Sequence, residues 1–336
     1  MNQRSLVRAG RAVVARLAHA IFILLAVTTL TFTLIHLAPG DAAEVLVYTQ
    51  GGATEEQLEK LRADFNLDDP FPSQLASYLG DVAQGDLGDS FFYSLPVRDL
   101  VVERLWPTIL LTGSALAIAI VGGVFLGVFS ARRPTKASSH IVTAIALFGF
   151  SAPIFWTGIM LLLVFSAGIV WEPLGVLPSN GMNSVLVADG IVEKSWDTIK
   201  HLILPATTLG FFYLAQYSRI SRATMLEVLG SDYVRTARAK GLRERVVIWK
   251  HALRNAIIPV VTIIGLQIAA ILSGGILVET VFNWPGMGRL AFESLLRRDT
   301  PVIMGMLIFS TFIVIVVNIL TDLAYRLIDP RIRSKS

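Results

Sequence analysis

Apolar residues in this chain come in long blocks, and the charged residues are bunched between them. Six stretches contain no Asp, Glu, Lys or Arg: 18–38, 106–131, 139–167, 201–218, 255–278 and 302–320. A helix needs about 20 residues to cross a hydrocarbon core about 30 Å thick, so each stretch predicts a membrane helix. The fourth, at 18 residues, is the shortest. The expected fold is an all-α integral membrane protein with six transmembrane helices. A secretory signal peptide is the rival reading of the first stretch. Its 21 uncharged residues exceed the roughly 7–15 of an apolar signal core, and Pro39-Gly40-Asp41 is a poor cleavage site, so it reads as an uncleaved helix.

Charge assigns the connections to sides. Net charge runs +4 in residues 1–17, −9 in 39–105, +3 in 132–138, −2 in 168–200, +6 in 219–254, 0 in 279–301 and +2 in 321–336. Excess Lys and Arg mark the cytoplasmic side, and the short loop with Arg132, Arg133 and Lys136 carries that assignment together with the basic tails. Both termini are therefore expected in the cytoplasm. The domain reading that follows has a cytoplasmic tail 1–17, helix 1 at 18–38 and a large extracytoplasmic lobe 39–105. A helical core 106–328 follows, holding the other five helices and a basic cytoplasmic loop 219–254, and the chain ends in a cytoplasmic tail 329–336. Within the lobe, Thr54 to Leu67 has apolar residues at Leu58, Leu61 and Phe65 behind a Thr54-x-x-Gln57 capping pattern, which predicts an amphipathic helix.

Composition narrows the chemistry. The chain of 336 residues is 54% hydrophobic and 16% charged, against about 25% charged for a soluble domain. It has no cysteine, so Cys-ligated metals, thiol nucleophiles and disulfides are excluded. The net charge of +4 is divided by sidedness and is not gathered on one face, which argues against nucleic acid. No Gly-Lys dipeptide occurs, so a P-loop is excluded and no ATP is hydrolysed here by that route. The six stretches carry no Asp, Glu, Lys or Arg, groups that proton- and ion-coupled pumps commonly place mid-membrane, which argues against a proton-coupled carrier. A carrier that binds sodium through backbone carbonyls stays open.

Several motifs lead nowhere. Gly286-Met287-Gly288-Arg289-Leu290-Ala291 has the spacing of a dinucleotide fingerprint, but it falls in an expected external loop and not between a strand and a helix, so it reads as a turn. Gly149-Phe150-Ser151-Ala152 resembles an intramembrane serine nucleophile with His201 as the nearest base, yet Pro153 points to a bent, closely packed helix. The five histidines have no metal-ligand spacing, and no metal or cofactor site is expected in the chain. Pro153, Pro205 and Pro259 fall within three successive spans, where proline bends a helix. Gly123 and Gly127 form a Gly-x-x-x-Gly pair suited to close packing. Asn255, Gln267 and Asn318 are rare amides in or beside apolar spans, either facing a wet pathway or tying helices together.

Loop 219–254 is different. It holds nine basic residues, and Ser231-Asp232 offers a helix N-cap. Tyr233 to Lys240 then reads as two helical turns, Gly241 as the left-handed stop and Arg243 as the start of a second helix. A short helix that is basic without being wholly polar fits a partner's groove, or else lies on anionic lipid.

The run Asp232-Tyr233-Val234-Arg235-Thr236-Ala237-Arg238-Ala239-Lys240-Gly241-Leu242 resembles the "EAA" loop of ABC importer permeases, in the form found in the dipeptide, oligopeptide and nickel branch. Arg235-Thr236-Ala237 stands in place of the Glu-Ala-Ala triplet, with Gly241 at the expected offset, and Leu253-Arg254 replaces the generic Leu-Pro. The resemblance extends along the chain through Pro39-Gly40-Asp41, Asp69-Pro70-Phe71-Pro72-Ser73-Gln74, Gly85-Asp86-Leu87-Gly88 and Ser151-Ala152-Pro153-Ile154-Phe155-Trp156. It continues through His251 to Asn255, Glu279 to Gly286, Arg298-Asp299-Thr300-Pro301 and Asp329-Pro330-Arg331. It is nearest to the first permease subunit of a dipeptide-type importer.

What the resemblance implies is a type I ABC importer permease in a bacterial inner membrane, non-catalytic itself. Its implied partners are a homologous second permease, two cytoplasmic ATPases that bind ATP and Mg, and an extracytoplasmic solute-binding protein. Asp232 to Leu242 would be the coupling helix that contacts an ATPase. Ser151, Pro153, Pro259 and Gln267 are expected along the translocation pathway. The cargo would be di- or oligopeptides, with nickel or another small solute as the alternative.

Overall fold

The computed structural model describes residues 3–37, 43–44, 47, 54–64, 69–169, 175–184, 190–264 and 275–328. Pro39-Gly40-Asp41, Gln267, Asp329-Pro330-Arg331 and the tail 329–336 lie outside them. In chain order the helices are α1 (Gln3–His36), α2 (Glu55–Asp64), α3 (Phe71–Ala83), α4 (Val97–Arg132), α5 (Ala137–Ser151), α6 (Ile154–Phe165) and α7 (Ile191–Leu229). They continue as α8 (Asp232–Ala239), α9 (Glu244–Ala256), α10 (Ile258–Ile264), α11 (Ile276–Val281), α12 (Met287–Leu296) and α13 (Thr300–Ile328). The fold is all-α: among the described residues β-pairing is limited to one isolated bridge between Asp89 and Pro96.

Segments Val14–His36, Val97–Arg132 and Thr300–Thr321 are long and apolar enough to cross a membrane, and two bent helix pairs bring the number to as many as five. The pair α5 and α6 breaks by 110° at Ala152-Pro153, and α9 and α10 bend by 47° around Ile257. At the first break Pro153 is the N-cap of α6 and cannot donate the hydrogen bond that would continue α5. Stretch 201–218 lies in α7, a 39-residue helix with twelve buried residues. A helix packed mainly against other helices needs less apolar surface than one facing lipid, and Thr207, Thr208, Gln216 and Tyr217 dilute its hydropathy.

The chain forms two compact units, residues 1–105 with 290–320 and residues 106–289 with 321–336. In the first, α1 and α3 meet through aromatic rings, Phe32 lying 5.5 Å from Phe71 and 5.6 Å from Tyr78 between centroids. Thr54 and Gln57 make the expected reciprocal cap of α2, the Gln57 N–H donating to Thr54 Oγ1 and the Thr54 N–H to Gln57 Oε1. Buried Asp299 then anchors the segment before α4, accepting from Ser90 Oγ at 2.5 Å and from the N–H groups of Phe91 and Phe92. Around it Tyr93 donates to Glu293, and the Arg297 guanidinium lies 3.5 Å above the Phe92 ring.

In the second unit α4 and α7 approach through glycine. A Cβ on Gly123 would stand 2.7 Å from Tyr217 Cβ, and one on Gly127 would collide with Ser221, so the Gly-x-x-x-Gly pair is a helix-packing site. Gly210 answers from α7, where a Cβ would meet the Ala115 carbonyl at 3.0 Å. Two apolar clusters flank this seam. One gathers Val128, Met225, Val234, Val247 and Ile248, the other Leu111, Leu204, Leu209, Phe282 and Trp284.

Candidate functional site

Helix α8 begins at Ser231, but not by the expected cap. Ser231 Oγ donates backwards to the Val228 carbonyl, so the hydroxyl seals the end of α7 and leaves the first turn of α8 without a side-chain cap. Asp232 still offers its charge to that positive end. At the far end Gly241 has φ +75°, and its N–H bonds to the Arg238 carbonyl. The left-handed stop read from the sequence is therefore present. No atom lies within 4 Å of where a Cβ would sit on Gly241, so the backbone angle and not space demands glycine there.

The faces of α8 divide in a way the sequence did not reveal. Val234 and Ala237, three residues apart, are buried on Met225, Val247 and Ile248 within the chain itself. These two apolar residues are thus spent on holding α8 to its own scaffold. Facing outwards are Asp232, Tyr233, Arg235, Thr236, Arg238, Ala239, Lys240, Gly241 and Leu242, with Tyr233 41% and Leu242 40% exposed. That surface is basic with two apolar spots.

Polar contacts hold the helix in place. Arg238 grips Glu244 with two nitrogens, at 2.8 and 3.2 Å, across the Gly241 turn. The hydrogen bonds from Arg238 hold the Glu244 carboxyl below its usual range, and the same pairing raises Arg238. Both side chains are about half exposed, so the pair contributes geometry more than stability. Asn255 Nδ2 donates to Tyr233 OH at 2.8 Å, which decides between the two readings of that amide: it ties helices together. Beneath α8, residues Val247–Ala252 form a π-helical turn within α9, and Thr224 Oγ1 donates to the Ala256 carbonyl beside the bend. Wide turns of this type recur at functional sites.

The remaining sequence candidates are scattered. Ser151 ends α5 and Pro153 starts α6, both exposed on either side of the break, and Pro259 is exposed near the start of α10. His201 is buried with Nδ1 2.9 Å from the Asp197 carbonyl and 3.6 Å from its carboxylate. Asp197 in turn accepts from the Ser184 N–H and Oγ, so the histidine belongs to a loop clamp. Residues Gly286 to Ala291 make a turn that opens α12, and among the described residues β-pairing is confined to Asp89 and Pro96, far from it in the chain. Two contacts escaped sequence reasoning. Arg238 and Glu244 lie six apart across a turn, outside any helical spacing rule, and Tyr233 and Asn255 sit on different helices.

The described residues thus form a multi-pass helical chain that carries a short, exposed, glycine-stopped helix on a buried footing. Residues 123–334 match the model of the binding-protein-dependent transport system inner membrane component, and residues 10–112 match that of the N-terminal membrane component of such systems. The chain belongs to this family of inner-membrane permeases. It is 39% identical over 335 residues to the dipeptide transport system permease protein DppB of Escherichia coli K12, covering 96% of this chain and 98% of that one. It is 37% identical over 321 residues to the oligopeptide transport system permease protein AppB of Bacillus subtilis, covering 95% and 98%. Among solved structures, the inward-facing MetNI methionine ABC transporter aligns at TM-score 0.52 over 68% of this chain and 96% of that one; at 16% identity this likeness concerns the fold alone, that of a type I ABC importer permease.

Proposed function

We propose that this chain is one of two permease subunits of an ATP-driven importer for di- and oligopeptides, and that α8 is its coupling helix. The observation that carries the reading is the geometry of α8. Its inner face is anchored by Val234 and Ala237, its end is set by Gly241 at φ +75°, and its outer face offers Tyr233, Arg235, Lys240 and Leu242 to a partner. The names of relatives along nearly the full chain support peptides as cargo.

In this reading two ATPases sit against the cytoplasmic loops and bind ATP and Mg. A second, related permease completes the pathway, and a solute-binding protein delivers cargo from outside. Six spans place both termini in the cytoplasm and residues 39–105 outside, where they help seat the binding protein. Hydrolysis in trans moves α8, and through its buried footing moves α7 and α9, shifting the pathway between outward- and inward-open populations. The breaks at Pro153, between α5 and α6, and before Pro259, between α9 and α10, are where the pathway helices yield, with Ser151 and Gln267 along the route.

Reconstitution tests this directly. Proteoliposomes holding both permeases, the ATPases and the binding protein should accumulate labelled dipeptide on ATP with no ion gradient, and should stop when the ATPase nucleotide sites are disabled. Accumulation of nickel or another solute instead would reassign the cargo. Uptake by this chain alone on a sodium or proton gradient would overturn the mechanism.

A further inference from the structure

One carboxylate among the described residues is fully buried within the second unit. Glu279 has 0% exposure and lies in α11, one residue past the fifth apolar stretch. Its Oε1 accepts from Thr108 Oγ1 at 2.8 Å, and its Oε2 accepts from the Arg289 N–H at 2.9 Å. The Gly288 N–H is a further donor to the same carboxylate. Thr108 also accepts from the Met287 N–H at 2.8 Å, so one hydroxyl and one carboxylate together satisfy three consecutive backbone donors at the start of α12.

Everything around this group is shaped to it. A Cβ on Gly286 would run into the Glu279 carboxylate, and one on Gly288 would come within 3.0 Å of Oε2. Trp284 is fully buried and donates Nε1–H to the Pro107 carbonyl at 2.9 Å, while its N–H bonds to the Glu279 carbonyl at 2.8 Å. Phe282 packs under Gly158 of α6, whose Cβ would stand 3.1 Å from the ring. The turn 282–289 is therefore sewn to α4 by two side chains, with α6 beneath it.

We propose that Glu279 is a positioning residue for transport: its side-chain oxygens, shared between Thr108 and the N–H groups of Gly288 and Arg289, lock the turn 282–289 to α4 so that α4, α6 and α11 move together at this end of the second unit. The requirement is for an acceptor facing the Gly288 and Arg289 N–H groups and a polar atom facing the Thr108 hydroxyl, and not for charge. Burial pushes the Glu279 carboxyl above its ordinary value against the pull of the hydrogen bonds. Glutamine can keep the arrangement, its Oε1 taking both backbone donors and its Nε2 donating to Thr108. Methionine, of similar length, leaves those donors unpaired.

The inference rests on the permease reading for its transport consequence, and the test separates the two. Backbone hydrogen exchange on the full-length chain in lipid nanodiscs reads the lock without any solute. Glu279→Met should lower protection at Met287, Gly288 and Arg289 by tenfold or more and leave α8 amides unchanged, while Glu279→Gln keeps protection within about threefold of wild type. Thr108→Val should expose the same amides and Thr108→Ser should not. In the complete importer Glu279→Met should cut maximal uptake of labelled dipeptide at an unchanged half-saturating concentration, with Glu279→Gln restoring it. Unchanged protection in Glu279→Met, or loss shared equally with α8, would overturn the lock. If Glu279→Met does not insert, unchanged protection in Thr108→Val has the same force. Failure of wild-type uptake speaks only against the importer reading.

Discussion

Single residues set how tightly the candidate site is defined. At Gly241 a side chain in the left-handed region costs about 1–2 kcal/mol, with no steric term to add because the Cβ position is open. Gly241→Asn should therefore leave coupling near wild type, and Gly241→Val should abolish solute-stimulated ATPase activity in the assembled importer; normal stimulation in the valine variant would remove the glycine from the argument. Asp197 yields a prediction in pH. Burial alone would raise its carboxyl, but hydrogen bonds from the Ser184 N–H and Oγ, with His201 and Asn183 adding to them, hold it below the usual carboxylate range. A depressed folded-state value means the stabilisation is present above the unfolded value, near 3.9, and is lost as pH falls through the folded one. Asp197→Asn should thus cost about 1–2 kcal/mol at neutral pH, and the gap in thermal midpoint to wild type should close below about pH 4. Gly241 was legible in the sequence because its reason is local, a helix ending on a left-handed residue. The Asp197 clamp was not, since Ser184 reaches it from a separate loop.

Among the elements, α4 and α7 show how far a pattern can be read. Gly123 and Gly127 announced close packing, and the partner turned out to be α7 of the same chain, at Tyr217 and Ser221. Gly127→Val should separate the two helices at an overpacking cost of about 1–3 kcal/mol. That loss should appear as a lower thermal midpoint of the purified chain, while Gly113→Ala, with nothing within 4 Å, should leave it unchanged. The break at Pro153 was legible as a bend because proline removes a donor wherever it stands in a helix. Its size, 110°, was not, because the angle depends on what α5 and α6 pack against. Helix α8 is the opposite case: its limits followed from the glycine and the N-cap position, but which of its faces turns inwards did not. Val234 and Ala237 satisfy a helical spacing equally well for a foreign groove or for Met225 and Ile248, and periodicity does not name the partner.

For the whole molecule, energy supply is what would separate the proposed importer from a self-sufficient carrier. Purified alone it should hydrolyse no ATP, and activity should emerge only with the ATPase subunits; hydrolysis by the isolated chain, surviving in a preparation free of other proteins, would contradict that. Composition and charge-free blocks determined by themselves that the protein is helical and membrane-embedded, since hydrocarbon admits few charges and needs long apolar helices. The order of motifs from Asp69-Pro70 to Glu279-Thr280 determined its family. Only the tertiary structure decided which residues turn inwards. It spent the apolar face of α8 within the chain, made stretch 201–218 a packed central helix, drew Asp299 to Ser90 across 209 positions, and placed Glu279 against Thr108 across 171. Local backbone preference and solvent transfer act over a few residues or a whole segment and leave their mark in sequence order, whereas burial of a polar group depends on donors from distant segments, and that convergence exists only once the helices have packed.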